Sequence, residues 1–165
     1  MEIMQFDSGI KKIEVQNAEG NQITVLQINV DDSSIVNRFM NLINNLEHVS
    51  DEFEKEAREK EEKYKDRPIT EESKIDTEQV IDICNLNIRF LNRCADEINA
   101  VFGKDTIKNV FKECYELNED FVPDESALLR FIDGVIPEMN KLFEQKFERN
   151  KKRYSPSNRG ANGKK

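Results

Sequence analysis

The chain has 165 residues, of which 35% are charged and 37% hydrophobic, and its formal net charge is -8. A chain of this length ordinarily forms one domain with one core, and the absence of Trp together with only six Gly and four Pro favours helices over a β-sandwich or barrel. We recognise no signal peptide and no apolar run near the roughly 20 residues that span a bilayer, so we expect a soluble, intracellular protein without membrane contact.

Residues 1–30 are predicted to form an N-terminal β-hairpin arm. Apolar residues alternate with polar ones on both sides of a bend expected at Gly20. Val25 and Leu26 are adjacent apolar residues, which indicates either a β-bulge or a strand covered on both faces. A two-stranded hairpin is only marginally stable in water, so this one must pack on the helices or extend its edge with another chain.

Residues 31–66 are predicted to form a long helix that is amphipathic at first and then charged. The run DDSS at 31–34 supplies residues that commonly cap helices. Apolar residues then recur at alternating steps of four and three, which places them on one helical face. Because the core of such a domain is limited, we expect part of this seam to remain available for a second chain. The candidate partner-binding residues are Ile35, Phe39, Leu42, Leu46, Val49 and Phe53.

After Phe53 the helix continues into the charged run EKEAREKEEKYKDR. Several Glu residues precede a Lys or Arg by four positions, the spacing of ion pairs that stabilise a helix by about 0.2 to 0.5 kcal/mol each. The predicted pairs are Glu54–Arg58, Glu56–Lys60, Glu59–Lys63 and Glu61–Lys65. Two interpretations stay open: a solvated extension of the helix, or a segment that orders on a partner.

Residues 74–149 are predicted to form the helical core, after a linker that begins at Pro68. A helix capped by Asp76 and ended by Gly103 is followed by a second helix from Asp105, so the pair forms a helical hairpin. One face of the first helix carries apolar residues at helical spacing: Val80, Cys84, Ile88, Leu91, Ala95, Ile98 and Phe102. We expect the buried residues of this hairpin to include Ile88, Leu91, Ile98, Phe102 and Phe111.

A last helix, capped by Asp124, is predicted to carry a further apolar seam that includes Leu128 and Met139. Pro137 lies inside this pattern, so we expect a kink or a restart there. The predicted fold class is therefore mainly α with a small N-terminal β-hairpin. It comprises a helical bundle of about four helices, a long charged first helix and a disordered basic C-terminal tail.

The predicted disordered basic tail comprises residues 150–165. Seven Lys or Arg and no Asp or Glu follow residue 148, so the charge of -8 divides into +7 there and -15 over residues 1–148. The tail has too few apolar residues to offset its ordering entropy. Its cations are suited to phosphates, but the acidic body would oppose such binding. We therefore expect no nucleic-acid partner and favour a tail that solubilises the protein or orders on another one.

Residues that commonly carry catalysis or bind metals are scarce. His48 is the only histidine, and it falls in a predicted helix where a surface position is expected. Cys84, Cys94 and Cys114 lack the short spacing of a zinc site, and we expect all three to be buried small hydrophobic residues. We find no glycine-rich phosphate loop and no calcium loop. We therefore expect neither an enzyme nor a bound cofactor or metal.

Four segments carry a resemblance to a known family. They are the hairpin GIKKIEVQNAEGNQITVLQINVDD, a charged helix ending in EEKYKDR, the segment INAVFGKDTIKNVF and the ending KRYSPSNRGANGKK. In this order they resemble the tail assembly chaperones of long-tailed, siphovirus-type bacteriophages of Gram-positive hosts. The sharpest parts are VFGKDTIKNVF and RYSPSNR, and the second departs from similar tails, which read closer to RYSPNR.

The resemblance implies a mainly helical protein without a cofactor that coats the long, hydrophobic tape measure protein before the tail tube polymerises around it. It implies the tape measure protein as partner, with the tail tube protein and further copies of the chain as additional candidates. It also implies action in the host bacterial cytoplasm, absence from the mature virion and a longer form of the protein made by frameshifting. The alternative is a non-catalytic helical adaptor or regulatory interaction protein, such as a structural tail or connector component.

Overall fold

The computed structural model describes residues 1–67 and 76–154, with side chains as far as residue 152. The protein is mainly helical with a small N-terminal antiparallel β-hairpin, as the sequence predicts. The elements of the described residues are β1 (Ile10–Gln16), β2 (Gln22–Asn29), α1 (Ile35–Tyr64), α2 (Thr77–Phe102), α3 (Thr106–Val110), α4 (Lys112–Leu117) and α5 (Glu125–Tyr154). The predicted linker from Pro68 and the predicted tail from residue 155 onward lie outside the described residues.

The two strands form one antiparallel ladder, and Gly20 makes the turn with a φ of 83°. The pairing register shifts after Val15, so that Ile23 of β2 has no partner on β1. Val25 and Leu26, where the sequence allowed a bulge, pair regularly with β1, and the register shift lies nearer the turn. After the register shift the inner face of β2 is buried and its outer face is partly exposed.

The predicted helix caps are used at α2 and α5, whereas Ser34 before α1 and Asp105 before α3 make no side-chain cap hydrogen bond. Asp76 and Asp124 accept hydrogen bonds from backbone N–H groups three residues on, and Gly103 ends α2 with a φ of 120°.

α5 continues through Pro137, so the predicted restart does not occur. Pro137 is exposed, and water can satisfy the backbone carbonyl that it leaves without a hydrogen bond. The second helix of the central hairpin instead breaks at Phe111 into α3 and α4, which gives five helices in the described residues where about four were expected.

The boundary of the predicted tail also moves. α5 runs to Tyr154, so residues 150–154 are helical, although the sequence predicted disorder from 150. Lys151 lies 3.8 Å from Glu148 in an i,i+3 pair, and such pairs support a solvent-exposed last turn. Local helix propensity therefore extends the last helix beyond the point where the apolar pattern ends.

The core lies between the inner face of the hairpin and the helices α1, α2, α3 and α5. Phe39 of α1 packs edge-on against the rings of Phe102 and Phe143, with centroid distances of 6.3 and 5.6 Å. Four of the most completely buried side chains come from four different helices: Leu42, Ile98, Ile107 and Met139. The core therefore joins distant parts of the chain into one unit.

α1 and α2 form an antiparallel pair that extends beyond this core. Phe53 and Phe90 stack at 4.5 Å where the main core ends, and no residue of the buried core cluster lies farther out on either helix. We call the outer part, residues 54–67 and 76–89, the stalk. Its most buried side chains are Tyr64 of α1 and Leu86 of α2.

Candidate partner-binding surfaces

The predicted partner-binding seam of α1 lies inside the protein. Ile35, Phe39, Leu42 and Val49 are only 1–4% exposed and belong to the core cluster. Leu46 is half-buried against the same core, and Phe53 is half-buried against Phe90. The seam is therefore not a free surface, contrary to the sequence-based expectation, because α2 and α5 cover it. A partner must use a different face of the folded chain.

The predicted apolar face of α2 is only partly buried. Leu91 and Ile98 are in the core, and Phe102 and Phe111 are half-buried against it. Ile88, however, is 43% exposed, so its predicted burial is wrong. The reason is that Ile88 lies in the stalk, outside the core cluster to which α5 and the hairpin contribute.

The charged run of α1 pairs chiefly with α2. Arg93 and Arg89 of α2 form ion pairs with Glu52 and Glu56 of α1, the second at 3.0 Å. Lys60 and Lys63 of α1 both lie 3.1 Å from Asp82 of α2. Among the four predicted pairs within α1, only Glu54–Arg58 is present, at 3.3 Å. One side of the run therefore contributes to a helix–helix interface, while most of its residues are exposed, as expected for a solvated extension of the helix.

A hydrogen-bonded cluster lies at the outer end of the stalk. The buried Tyr64 donates its hydroxyl to the Asp82 carboxylate at 2.7 Å, and Lys60 and Lys63 donate to the same carboxylate. The hydrogen bond from Tyr64, followed by those from the two lysines, holds the pKa of Asp82 well below its usual range. The pKa of Lys63 is raised, first by its hydrogen bond with Tyr64 and then by that with Asp82. The cluster fixes the spacing of the two helices where they are farthest from the core.

A cleft of about 790 Å³ opens between the hairpin and α5, with α4 on one side. We call it the hairpin–α5 cleft. Charged side chains stand around it, among them Lys12, Glu14, Arg130 and Glu138. Its apolar lining includes Ile13, Val15, Leu26, Val110, Phe111, Phe131 and Val135. A mostly apolar concave surface with a polar rim is typical of a site that binds another molecule.

Strand β1 offers backbone groups to this cleft. Consecutive residues 12–16 of β1 line it. In the described part of the chain β1 pairs only with β2, so its other edge carries unpaired N–H and C=O groups. The opposite strand, β2, packs against α3. A segment lying in the cleft is therefore placed to extend the sheet at β1.

Gly134 lies on the α5 side of the cleft, and a Cβ atom built there meets no heavy atom within 4 Å. Glycine inside a helix destabilises it by about 1 kcal/mol relative to alanine. The helix therefore contains an unfavourable residue where its surface faces open space. The sequence analysis did not predict this cleft. Two features of the sequence point toward it: a glycine within the helical pattern and a hairpin with an unpaired edge.

The cysteines and the histidine take different environments. Cys94 is buried, Cys114 is half-buried and Cys84 is exposed, so the predicted burial is wrong for Cys84. Burial raises the pKa of the Cys94 thiol, and the negative charge of Glu125 adds to this effect. His48 is at the surface as predicted, with Nδ1 3.4 Å from Glu52.

Comparison with family models, with curated proteins and with solved structures finds no match to this chain. Within residues 1–67 and 76–154, no helix is long and apolar enough to cross a membrane. Function is therefore inferred from the surfaces described above and from the resemblance carried by the sequence.

Proposed function

We propose that the protein is a non-catalytic tail assembly chaperone that binds the tape measure protein during phage tail morphogenesis. The resemblance of VFGKDTIKNVF and RYSPSNR to that family supports the class of protein. The observation that carries the proposal is the hairpin–α5 cleft, a largely apolar concavity that is open to solvent and bordered by a free strand edge. In this proposal the protein acts in the host bacterial cytoplasm and is absent from the finished virion.

The cleft suits a hydrophobic client for two physical reasons. Its apolar lining removes client side chains from water, which contributes about 25 cal/mol per Å² of buried apolar area. The β1 edge supplies backbone hydrogen bonds whatever the client's sequence, so one site can accept many different segments. The charge of -15 on residues 1–148 keeps loaded complexes apart in solution.

Gly134 provides a matched pair of variants that test this site. Gly134→Leu places a large side chain in the cleft, whereas Gly134→Ala adds only a methyl group to open space. Both should keep the fold, and the alanine variant should be more stable by about 0.5 to 1 kcal/mol because it removes a helix-interior glycine. We expect the wild type and Gly134→Ala to keep the coexpressed tape measure protein of the same genome soluble, and Gly134→Leu to lose this ability.

Circular dichroism and thermal unfolding check that both variants are folded. Full client solubility with Gly134→Leu would exclude the cleft as the client site, and an insoluble client with the wild type would refute the chaperone function.

Because binding is proposed to be apolar, 1 M salt should leave the complex intact. Recovery of the chain in purified, finished particles would instead support the structural adaptor. A tail tube gene upstream and a very long coiled-coil gene downstream would support the chaperone.

A further inference from the structure

The segment that precedes β1 exposes several large apolar side chains. Ile3, Met4 and Phe6 are between 79% and 87% exposed. Within residues 1–6 the only charged side chain is that of Glu2, although 35% of the chain is charged. Burial of apolar side chains is favourable in proportion to the area that leaves the water, so this segment gains from packing on an apolar surface within its reach. We call residues 1–6 the strap.

The strap is joined to the fold beside the hairpin–α5 cleft. The carbonyl of Gly9 accepts a hydrogen bond from the N–H of Val30 at 3.0 Å, and Lys146 of α5 donates to the carbonyl of Val30 at 2.8 Å. The segment therefore enters β1 next to α5, the helix that forms the opposite wall of the cleft. At about 3.4 Å per residue, the extended strap spans about 20 Å and residues 12–16 of β1 span about 17 Å. The strap is long enough to follow the whole stretch of β1 that lines the cleft.

A turn just before β1 can direct the strap back along that strand. Oδ1 of Asp7 accepts a hydrogen bond from the N–H of Gly9 at 2.9 Å, which is the bond of an Asx turn. Gly9 has a φ of 70°, the conformation that glycine supplies at the third position of a type II turn. The turn type sets the register of a hairpin, and a four-residue turn over 7–10 brings Met4 opposite Ile13.

We propose that the strap folds onto the free edge of β1 as a third antiparallel strand and closes the hairpin–α5 cleft of its own chain. Residues that lie opposite each other in an antiparallel pair share one face of the sheet. Ile13 lines the cleft and is partly buried against the core. Met4 therefore points into the cleft, whereas Ile3 points to the other face. The unpaired N–H and C=O groups of the β1 edge gain partners in the same step.

The covalent connection identifies the strap as the occupant of the cleft. A segment tethered by a short linker is present at an effective concentration in roughly the millimolar range, so it fills the site ahead of a free segment of equal affinity. The structure shows the open form, with the strap in solvent. The consequence for regulation rests on the proposed function: a client segment must displace the strap, and the strap covers the apolar lining between clients.

Tryptophan fluorescence tests the closure, because the chain contains no Trp. Met4→Trp places a single indole where the strap enters the cleft, and Ile3→Trp is the matched control on the opposite face. We expect Met4→Trp to emit at a shorter wavelength than Ile3→Trp, since an indole in an apolar site emits at a shorter wavelength than one in water. Adding Gly134→Leu, which fills the cleft, should move the emission of Met4→Trp to that of Ile3→Trp, and adding Gly134→Ala should not.

The proposal is overturned if Met4→Trp emits at a wavelength no shorter than that of Ile3→Trp. It is also overturned if Gly134→Leu leaves the emission of Met4→Trp unchanged while circular dichroism shows the variant to be folded. The emission should not depend on protein concentration, because the strap and the cleft belong to one chain. A shift that grows with concentration would place the strap in a second copy and would refute closure within the chain.

This test contains no client protein, so closure and chaperone function fail separately. An indole that stays in solvent would refute the strap, whatever the client does. A tape measure protein that stays insoluble with the wild type would refute the chaperone function, even where Met4→Trp shows the expected shift.

Discussion

The two halves of α2 carry the same apolar stripe and meet different environments. In the C-terminal half, Leu91, Ala95 and Ile98 are at most 9% exposed, and they pack with residues of α5, α1 and the hairpin. In the N-terminal half, Cys84 and Ile88 continue the stripe at the same spacing but remain exposed. Spacing therefore defines a face of a helix, and only the layer opposite decides whether that face is buried.

The largest expected difference between the halves is in stability. Ile98→Ala empties a fully buried site and should lower the free energy of unfolding by about 2 to 5 kcal/mol, and Leu91→Ala should fall in the same range. The cost arises from lost burial and from the cavity left behind. Urea denaturation measures it, with an unchanged slope as the sign that the fold is intact. A loss below about 1 kcal/mol for Ile98→Ala would contradict its place in the core.

A smaller, pH-dependent effect is expected in the stalk. The pKa of Asp82 is lowered in the folded chain by the hydrogen bonds from Tyr64, Lys60 and Lys63. Its stabilising contribution is therefore fully present above the pKa of Asp in an unfolded chain, about 3.9, and is lost as the pH falls below that value. Asp82→Asn should lower the melting temperature at neutral pH.

The pH profile separates this role of Asp82 from a simple loss of packing. As the pH is lowered from about 5 to about 3, the melting temperature of the wild type should fall more than that of Asp82→Asn. Tyr64→Phe removes only the hydroxyl donor, so the fall in its melting temperature should lie between those of the wild type and Asp82→Asn. Parallel profiles for the wild type and Asp82→Asn would show that the carboxylate does not stabilise the stalk.

The smallest effect is expected on the exposed half of the stripe. Ile88→Ser should change the free energy of unfolding by no more than about 0.5 kcal/mol when it is measured at concentrations where the protein is monomeric. The reason is that Ile88 already contacts water in the single chain. A cost approaching that of Ile98→Ala would mean that the stalk is covered within one molecule, and the contrast between the halves would disappear.

The sequence by itself determined the features that depend on near neighbours in the chain. The turn at Gly20, the caps at Asp76 and Asp124, and the end of α2 at Gly103 are all where the sequence predicts them. Each rests on a conformational preference or on a hydrogen bond that reaches at most three residues. The mainly helical class with one hairpin follows from the same short-range signals together with hydrophobic periodicity.

Only the tertiary structure decided which of the apolar and charged faces meet. The seam from Ile35 to Val49 was predicted to be partly free and is core, whereas Ile88 was predicted to be core and is exposed. Lys60 and Lys63 had suitable partners one turn away in α1, yet they pair with Asp82 of α2. A periodic pattern specifies a face but not its neighbour, because the neighbour is set by how helices distant in sequence pack. The hairpin–α5 cleft and the exposed apolar residues in the N-terminal half of α2 both arise from that packing, which leaves them uncovered.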